Sequence, residues 1–314
     1  MRKETTSVMI FKRLLLAMTS LVLLPAGFGQ DAETGAGAVI LAERTDPVVF
    51  RDAENQKIDG AKMIPGVLLP EGYWVETGPG GNALLLLSNG TVITVTENSK
   101  MKVETFDQEP FETDGKLIND LKEEPSSSSV LVNLEIGSLV VQTKKLNKKS
   151  NFEISNPLGT AGIRGTEFKM GVDPKVGIEL DVTESTVAFT PRGATRPVSV
   201  TAGKGLTVKP NGVPVMRPVN PPVAREINTV NTKARQSVGE MPISYVKSSM
   251  GEASRKRVER KRNDGTSPRP RDGIKEQDSP PDSPGGEPDK PGSPPLSAQE
   301  NSSRQGRANL SGEF

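Results

Sequence analysis

Ala83-Leu84-Leu85-Leu86-Leu87 and Thr91-Val92-Ile93-Thr94-Val95 flank Ser88-Asn89-Gly90, two apolar runs about an Asn-Gly pair. An Asn-Gly pair supplies the positive φ angles of a type I′ turn, so residues 83–95 read as a β-hairpin. In the second run Val92 and Thr94 alternate with Ile93 and Val95, the period-two signature of a strand. The same rhythm extends both ways. Upstream lie Val48-Val49-Phe50 and Tyr73-Trp74-Val75; downstream come Val130–Leu134, Ser138–Val141, Phe152–Ile154, Ile178–Val182, Val187–Phe189 and Val198–Val200. Short β-branched runs between Gly, Asn and Pro predict an all-β domain, an antiparallel β-sandwich or β-roll, over residues 38–216. Ile178, Leu180 and Val182 alternate with Glu179 and Asp181, so that strand has one buried and one wet face.

Composition narrows the chemistry. The 314 residues include no cysteine and no histidine. That excludes zinc fingers, Ser-His-Asp triads, thiol nucleophiles, iron–sulfur clusters and disulfides. Forty basic and 39 acidic residues give a net charge of +1, which favours no charged partner. Only 33% of residues are hydrophobic and 4% aromatic, while Gly and Pro number 31 and 26, so much of the chain is not expected to pack.

Arg2, Lys3, Lys12 and Arg13 precede the apolar run Leu14–Leu24, which Pro25 closes; Ala26-Gly27-Phe28-Gly29 follow before Gln30-Asp31. This order is that of a secretory signal peptide, residues 1–29, and predicts a periplasmic or secreted protein. The apolar run is about 12 residues, where a spanning helix needs about 20. Retained instead of cleaved, it is a membrane anchor.

Two segments break the β rhythm. Residues 105–129 hold Asp107, Glu109, Glu112, Asp114, Asp120, Glu123 and Glu124, then Ser126–Ser129. They predict an acidic insertion with a short helix near Leu117–Leu121 and a flexible serine run. No Asp-x-Asp-x-Asp-Gly loop marks it for calcium, and no metal or other cofactor is expected. Val223, Ile227, Val230, Ala234 and Val238 recur at helical spacing after Pro221-Pro222 and before Gly239, predicting one amphipathic helix over 222–239. Residues 251–314 carry 23 charged residues and nine prolines, a composition expected to stay disordered. The basic run Arg255-Lys256-Arg257 opens this tail and is a candidate contact for anionic lipid or acidic wall polymer, with nucleic acid not expected for an exported chain.

Several motifs, taken in order, resemble the FecR domain. They are Gly80–Thr91 with its Asn89-Gly90 turn; Val132–Val140, a strand–Gly–strand element about Gly137; and Phe152-Glu153-Ile154-Ser155-Asn156-Pro157 leading to Ala161-Gly162-Ile163-Arg164-Gly165-Thr166-Glu167-Phe168. Val182–Phe189 and Ala202-Gly203-Lys204-Gly205 complete the set. The resemblance covers about residues 60–208 and implies the FecR fold and an envelope location. Asn89, Gly90, Gly137, Gly162, Gly165, Thr166 and Phe168 are its motif positions, read as architectural. Ser185 stands where the family usually has Gly, so that turn is expected to take another form. Typical family regulators carry a cytoplasmic anti-sigma segment before their membrane helix; here 13 residues precede the apolar run.

The resulting expectation is a non-enzymatic exported domain that binds a protein or polymer of the cell envelope. Tyr73 and Trp74 are the aromatic pair able to stack a sugar, or else part of the core. A membrane-anchored regulator of the FecR type is the alternative. The third is a carboxylate-based hydrolase, since the acidic loop supplies paired carboxylates.

Overall fold

A computed structural model describes residues 35–113, 115–210 and 212–263; the expected signal peptide and residues 264–314 of the expected tail lie outside them. Among the described residues there are sixteen strands. They are β1 Gly35–Ala36, β2 Val39–Thr45, β3 Val48–Arg51, β4 Trp74–Thr77, β5 Asn82–Leu87, β6 Val92–Val95, β7 Lys100–Gln108 and β8 Ser128–Gln142. Then follow β9 Asn151–Asn156, β10 Gly159–Ile163, β11 Glu167–Asp173, β12 Gly177–Glu184, β13 Thr186–Pro191, β14 Val198–Thr201, β15 Lys204–Val208 and β16 Val215–Pro218. Two helices close the series, α1 Pro221–Val238 and α2 Ile243–Asn263.

The strands form two layers that share β8. One sheet runs β3-β4-β7-β8-β9-β10-β13-β14, with β1 beside the far end of β7. The other runs β2-β5-β6-β8-β11-β12-β15-β16. The domain is therefore mostly β and barrel-like. Its sheet is mixed, because β8 and β9 pair in parallel, with Val130 opposite Phe152. Curling accounts for this exception to the expected antiparallel order. β8 passes from the first layer into the second, which returns its end to residues 123–124, where Glu124 N–H donates to Lys145 O at 3.0 Å. The chain then re-enters the first layer beside the start of β8, in the same direction.

The crossings between layers share one backbone device. Gly137 inside β8, Gly165 between β10 and β11, Ser185 between β12 and β13, and Gly203 between β14 and β15 have φ of 94°, 105°, 61° and 78°. Left-handed residues turn a strand sharply, and glycine does so without a side-chain penalty. At Gly137 a Cβ would also overlap Ser99 Cα. Ser185 does not change the form of its corner, contrary to expectation; it takes the left-handed conformation itself.

The core lies between the layers, with Leu85, Leu87, Ile93, Phe106, Phe152, Phe168 and Phe189 among its buried members. A second apolar cluster lies outside the second sheet, where Ile40, Leu84, Leu86 and Val92 meet Ala234 and Val238 of α1 and Ile243, Val246 and Met250 of α2. The unbroken run Ala83–Leu87 follows, because that strand is buried on both faces. The hairpin stands, but its turn is not type I′. Leu87 N–H donates to Thr91 O, Gly90 N–H donates to Leu87 O, and of the Asn-Gly pair only Gly90 has positive φ. This is a three-residue loop with glycine at its left-handed position. Asn89 is buried there, its Oδ1 accepting from Thr91 N–H at 3.1 Å.

Two helices, not one, follow the β domain. α1 matches the expected 222–239 segment, whereas α2 runs from residues given no element into the start of the expected disordered tail. Composition misleads here because α2 is fastened beyond Met250 largely by polar groups: Ser254 Oγ accepts from Ala36 N–H at 3.0 Å, and Arg257 and Arg260 dock further on. The acidic insertion is shorter than expected, since β7 runs to Gln108 and β8 begins at Ser128. A 3-10 turn at Ile118–Asp120 sits where the short helix was expected. The serine run is not loose. Ser126 and Ser128 are buried, and Ser126 Oγ donates to Glu109 O at 2.6 Å.

Candidate functional site

The motif residues are distributed through the architecture and do not converge on one cleft. Gly90, Gly137 and Gly165 hold the turn and two corners, Phe168 is fully buried, and Gly162 lies on β10 opposite Glu153 and Ala188. Thr166 is buried and locked to Thr143: its N–H donates to Thr143 Oγ1 at 2.7 Å and its carbonyl accepts from Thr143 N–H at 3.0 Å. Glu167, the next residue, joins the β domain to α1. Its carboxylate accepts from Asn231 Nδ2 at 2.9 Å, Arg235 Nη1 at 2.9 Å and Gln142 Nε2 at 2.5 Å.

Three further carboxylates, half-buried Glu71 and buried Asp181 and Glu124, are likewise engaged. Glu71 accepts from Phe106 N–H at 2.6 Å and Arg257 Nε at 3.0 Å, while Arg257 Nη1 reaches Asp107 at 2.6 Å. Burial disfavours the Arg257 charge, but bonds to Glu71 and Asp107 outweigh it and raise its pKa. Asp181 receives Arg217 on both oxygens, Nη2 to Oδ2 at 2.8 Å. Glu124 accepts from Ser128 Oγ at 2.6 Å, Asn147 N–H at 2.5 Å and Ser150 Oγ. Burial pushes the Glu124 carboxyl above the usual glutamate range against the pull of those donors. Sequence spacing could not nominate Glu71 or Asp181 for these duties, since their partners lie 186 and 36 residues away.

Two surface features contain the predicted contact residues. Between α2 and the loops after β3 lies a groove of about 560 Å³, with Met63, Leu69, Tyr73, Lys256, Arg257 and Arg260 in its wall. Burial and then the carboxylates of Asp52 and Glu54 raise the Tyr73 phenol pKa. The basic run divides: Arg255 is exposed, Lys256 pairs with Glu252 at 2.9 Å within the helix, and Arg257 anchors the helix to the β domain. Arg255 and Lys256, the latter with its side chain 39% exposed, face solvent, whereas Arg257 is engaged in the fold.

Trp74 lies elsewhere, beside a shallow depression of about 450 Å³ that Tyr73 does not line. The aromatic pair therefore does not form one platform. Trp74 is half-buried on the outer face of the first sheet, with Lys100 Nζ 4.7 Å and Lys102 Nζ 5.0 Å from its ring centroid. Ammonium groups at that range are attracted to the indole. Arg51, Glu76, Lys100 and Glu135 continue an ion-pair chain over the same face.

Comparison with known proteins agrees with the resemblance in the sequence. The family model described as "FecR protein" matches residues 74–188, from β4 into β13. No curated protein sequence matches the chain. Two solved structures of a "putative anti-sigma factor" from Parabacteroides distasonis ATCC 8503 are similar at 13% identity, with TM-scores of 0.36 and 0.37. The matches cover 47% and 50% of this chain and 60% and 64% of those chains, so it spans less than two thirds of either. The corners at Gly137, Gly165 and Ser185 and the Thr166–Phe168 segment all fall inside the matched residues, and residues 74–188 of the chain form a FecR domain.

Proposed function

We propose that this FecR-domain protein is a non-enzymatic binding protein of the bacterial cell envelope, exported by its N-terminal segment. One observation carries the proposal. Glu71, Glu124, Glu167 and Asp181, the carboxylates placed deepest, are each tied to the groups that hold strands and helices together. A carboxylate engaged by guanidinium groups or fixed hydroxyls is a poor nucleophile or general base, which speaks against the hydrolase alternative. What the domain presents is surface: the helix-side groove and the open outer face of the first sheet. A protein or polymer of the envelope is the partner such surfaces serve. Function on a widely used fold rests on its sites, so the family match supports a binding role and names no ligand.

The test is expression of the full chain in a bacterial host, followed by fractionation and intact mass. A soluble envelope protein starting near Gln30 is expected. Recovery of the mature domain from the cytosol would overturn the proposal. Recovery in the membrane with Met1 retained would favour the membrane-anchored regulator, with Leu14–Leu24 as its anchor.

A further inference from the structure

Across the outer face of the first sheet, strand register aligns six side chains in one row. Trp74 on β4 is opposite Lys102 on β7, Lys102 opposite Asn133 on β8, and Asn133 opposite Ser155 on β9. Ser155 is opposite Thr160 on β10, and Thr160 opposite Thr190 on β13. Directly paired residues share a face, and all six are half-buried, while their neighbours Val75, Ile154, Ala161 and Phe189 point into the core. At about 4.8 Å per strand the row is about 24 Å long. It consists of one indole, one ammonium, one amide and three hydroxyls, with no carboxylate in line.

One cation beside the row lacks a partner. Asn156, which also lines the depression with Trp74, Lys102, Asn133 and Ser155, alternates inward with Phe152 and Ile154, and its Oδ1 accepts from Leu158 N–H at 2.8 Å. Arg192, two residues beyond Thr190, lines the same depression, is exposed, and has no ion pair among the described residues. By contrast Glu135, the one acid in that wall, is already held by Lys100 Nζ at 3.2 Å.

From this arrangement we infer that the row is a binding site for a linear acidic saccharide. A sugar packs its C–H face on the indole, its hydroxyls meet Asn133, Ser155, Thr160 and Thr190, and its carboxylate is received by Arg192. Lys102, whose Nζ also pairs with Glu104 at 3.3 Å, adds positive charge at the Trp74 end. A row of hydroxyls and amides on a flat, wet sheet face suits an extended polyhydroxylated chain better than an apolar peptide, which needs pockets to fill. The inference rests on the binding role proposed above and supplies its ligand class.

The chain carries a single tryptophan, so intrinsic fluorescence reports on this site alone. The full chain is titrated with hexagalacturonate and, in parallel, with neutral cellohexaose and with hexaglutamate, following Trp74 emission and binding heat. Saturable binding of hexagalacturonate is expected, weakened at least tenfold in Arg192→Gln and in Asn133→Ala, with circular dichroism unchanged because both residues lie outside the core. No response to hexagalacturonate overturns the inference, as does undiminished binding in both variants. Equal binding of cellohexaose refutes the role of the carboxylate, and equal binding of hexaglutamate reduces the site to charge. Fractionation separates the two ideas: a silent titration of a protein found in the envelope sinks only the saccharide site.

Discussion

Truncating Glu124 tests whether its buried polar cluster holds the insertion to the barrel. The carboxylate binds three donors from two places: Ser128 at the start of β8, and Asn147 and Ser150 on the return to β9. Ser128 Oγ also accepts from Asn89 Nδ2 at 3.1 Å, and Arg164 Nη1 donates to Ser150 O at 2.7 Å, so the network reaches the β5–β6 turn and the β10–β11 corner. Glu124→Ala leaves these donors buried and unpaired. Each such group costs about 1–3 kcal/mol. Serine hydroxyls can rotate toward other acceptors, and the cost of burying a charge is removed, so about 3 kcal/mol in total is expected. Glu124→Gln keeps an acceptor for Asn147 N–H and discards the charge, and should fall within about 1 kcal/mol of wild type.

The pH dependence supplies an independent check. Burial raises the Glu124 pKa in the folded state, so folding binds a proton there more tightly than the unfolded chain does. That contribution is complete below the ordinary glutamate range and is lost as pH rises through the raised folded value. Wild type should therefore gain stability relative to Glu124→Gln as pH falls from 7 toward the acid range, all other groups cancelling in the comparison. Urea unfolding of residues 35–263 at several pH values measures both effects. An alanine variant within about 1 kcal/mol of wild type, or a wild-type advantage that grows with rising pH, would falsify this account.

Other perturbations probe the corners and the second helix. Ser185→Gly relieves a left-handed serine whose side chain is exposed, and should stabilise by about 0.5–1 kcal/mol, read as a rise of about 2–3 °C in melting temperature; a fall would contradict the strain assigned to that corner. Arg257→Met leaves Glu71, 11% exposed, with Phe106 N–H and, as its nearest cation, the more distant Arg260 at 3.6 Å, and should cost about 2–4 kcal/mol with new protease cleavage inside 243–263. Cleavage patterns identical to wild type would show that apolar contacts alone seat α2. Ending the chain at residue 240 uncovers the cluster that Ile243, Val246 and Met250 complete, each such side chain being worth about 1.5–3 kcal/mol when buried. That fragment should unfold at markedly lower urea than residues 35–263, and coincident midpoints would remove α2 from the folded unit.

The β class was legible because its strands alternate or run apolar between turn residues, and α1 because its spacing is helical between Pro and Gly. Three things were not legible. The parallel β8–β9 pair depends on a strand that curls between layers, and nothing local marks Val130 as the neighbour of Phe152. The turn at Ser88–Gly90 fits both a two-residue and a three-residue hairpin by composition; burial of Asn89 against Ser128, 39 residues away, settles it. α2 failed a test of apolar content because ionic and polar anchors replace much of its hydrophobic face, and Glu71 and Asp107 could not be matched to Arg257 from a linear chain. For the site, Trp74 stood out as the lone tryptophan, but its separation from Tyr73 comes from strand alternation, and the row it heads exists only once six strands are in register.

The uneven cover of the two sheets gives the domain its direction. Helices seal the outer face of the second sheet, whose leucines would otherwise meet water, and in doing so they draw in Glu167, Arg235, Glu71 and Arg257. The first sheet has no such lid among the described residues, and its outward positions are mostly polar, aromatic or charged, with Val49, Leu131 and Ala188 half-buried among them. A solvated antiparallel face is stable without a partner, so the fold does not require Asn133, Ser155, Thr160 and Thr190 to align. Arg192 lies beside that alignment, exposed and without an ion pair among the described residues. Polar groups left open by a structure that engages its buried charges are the ones available to a ligand, and here they lie on the sheet face that carries no helical cover among the described residues.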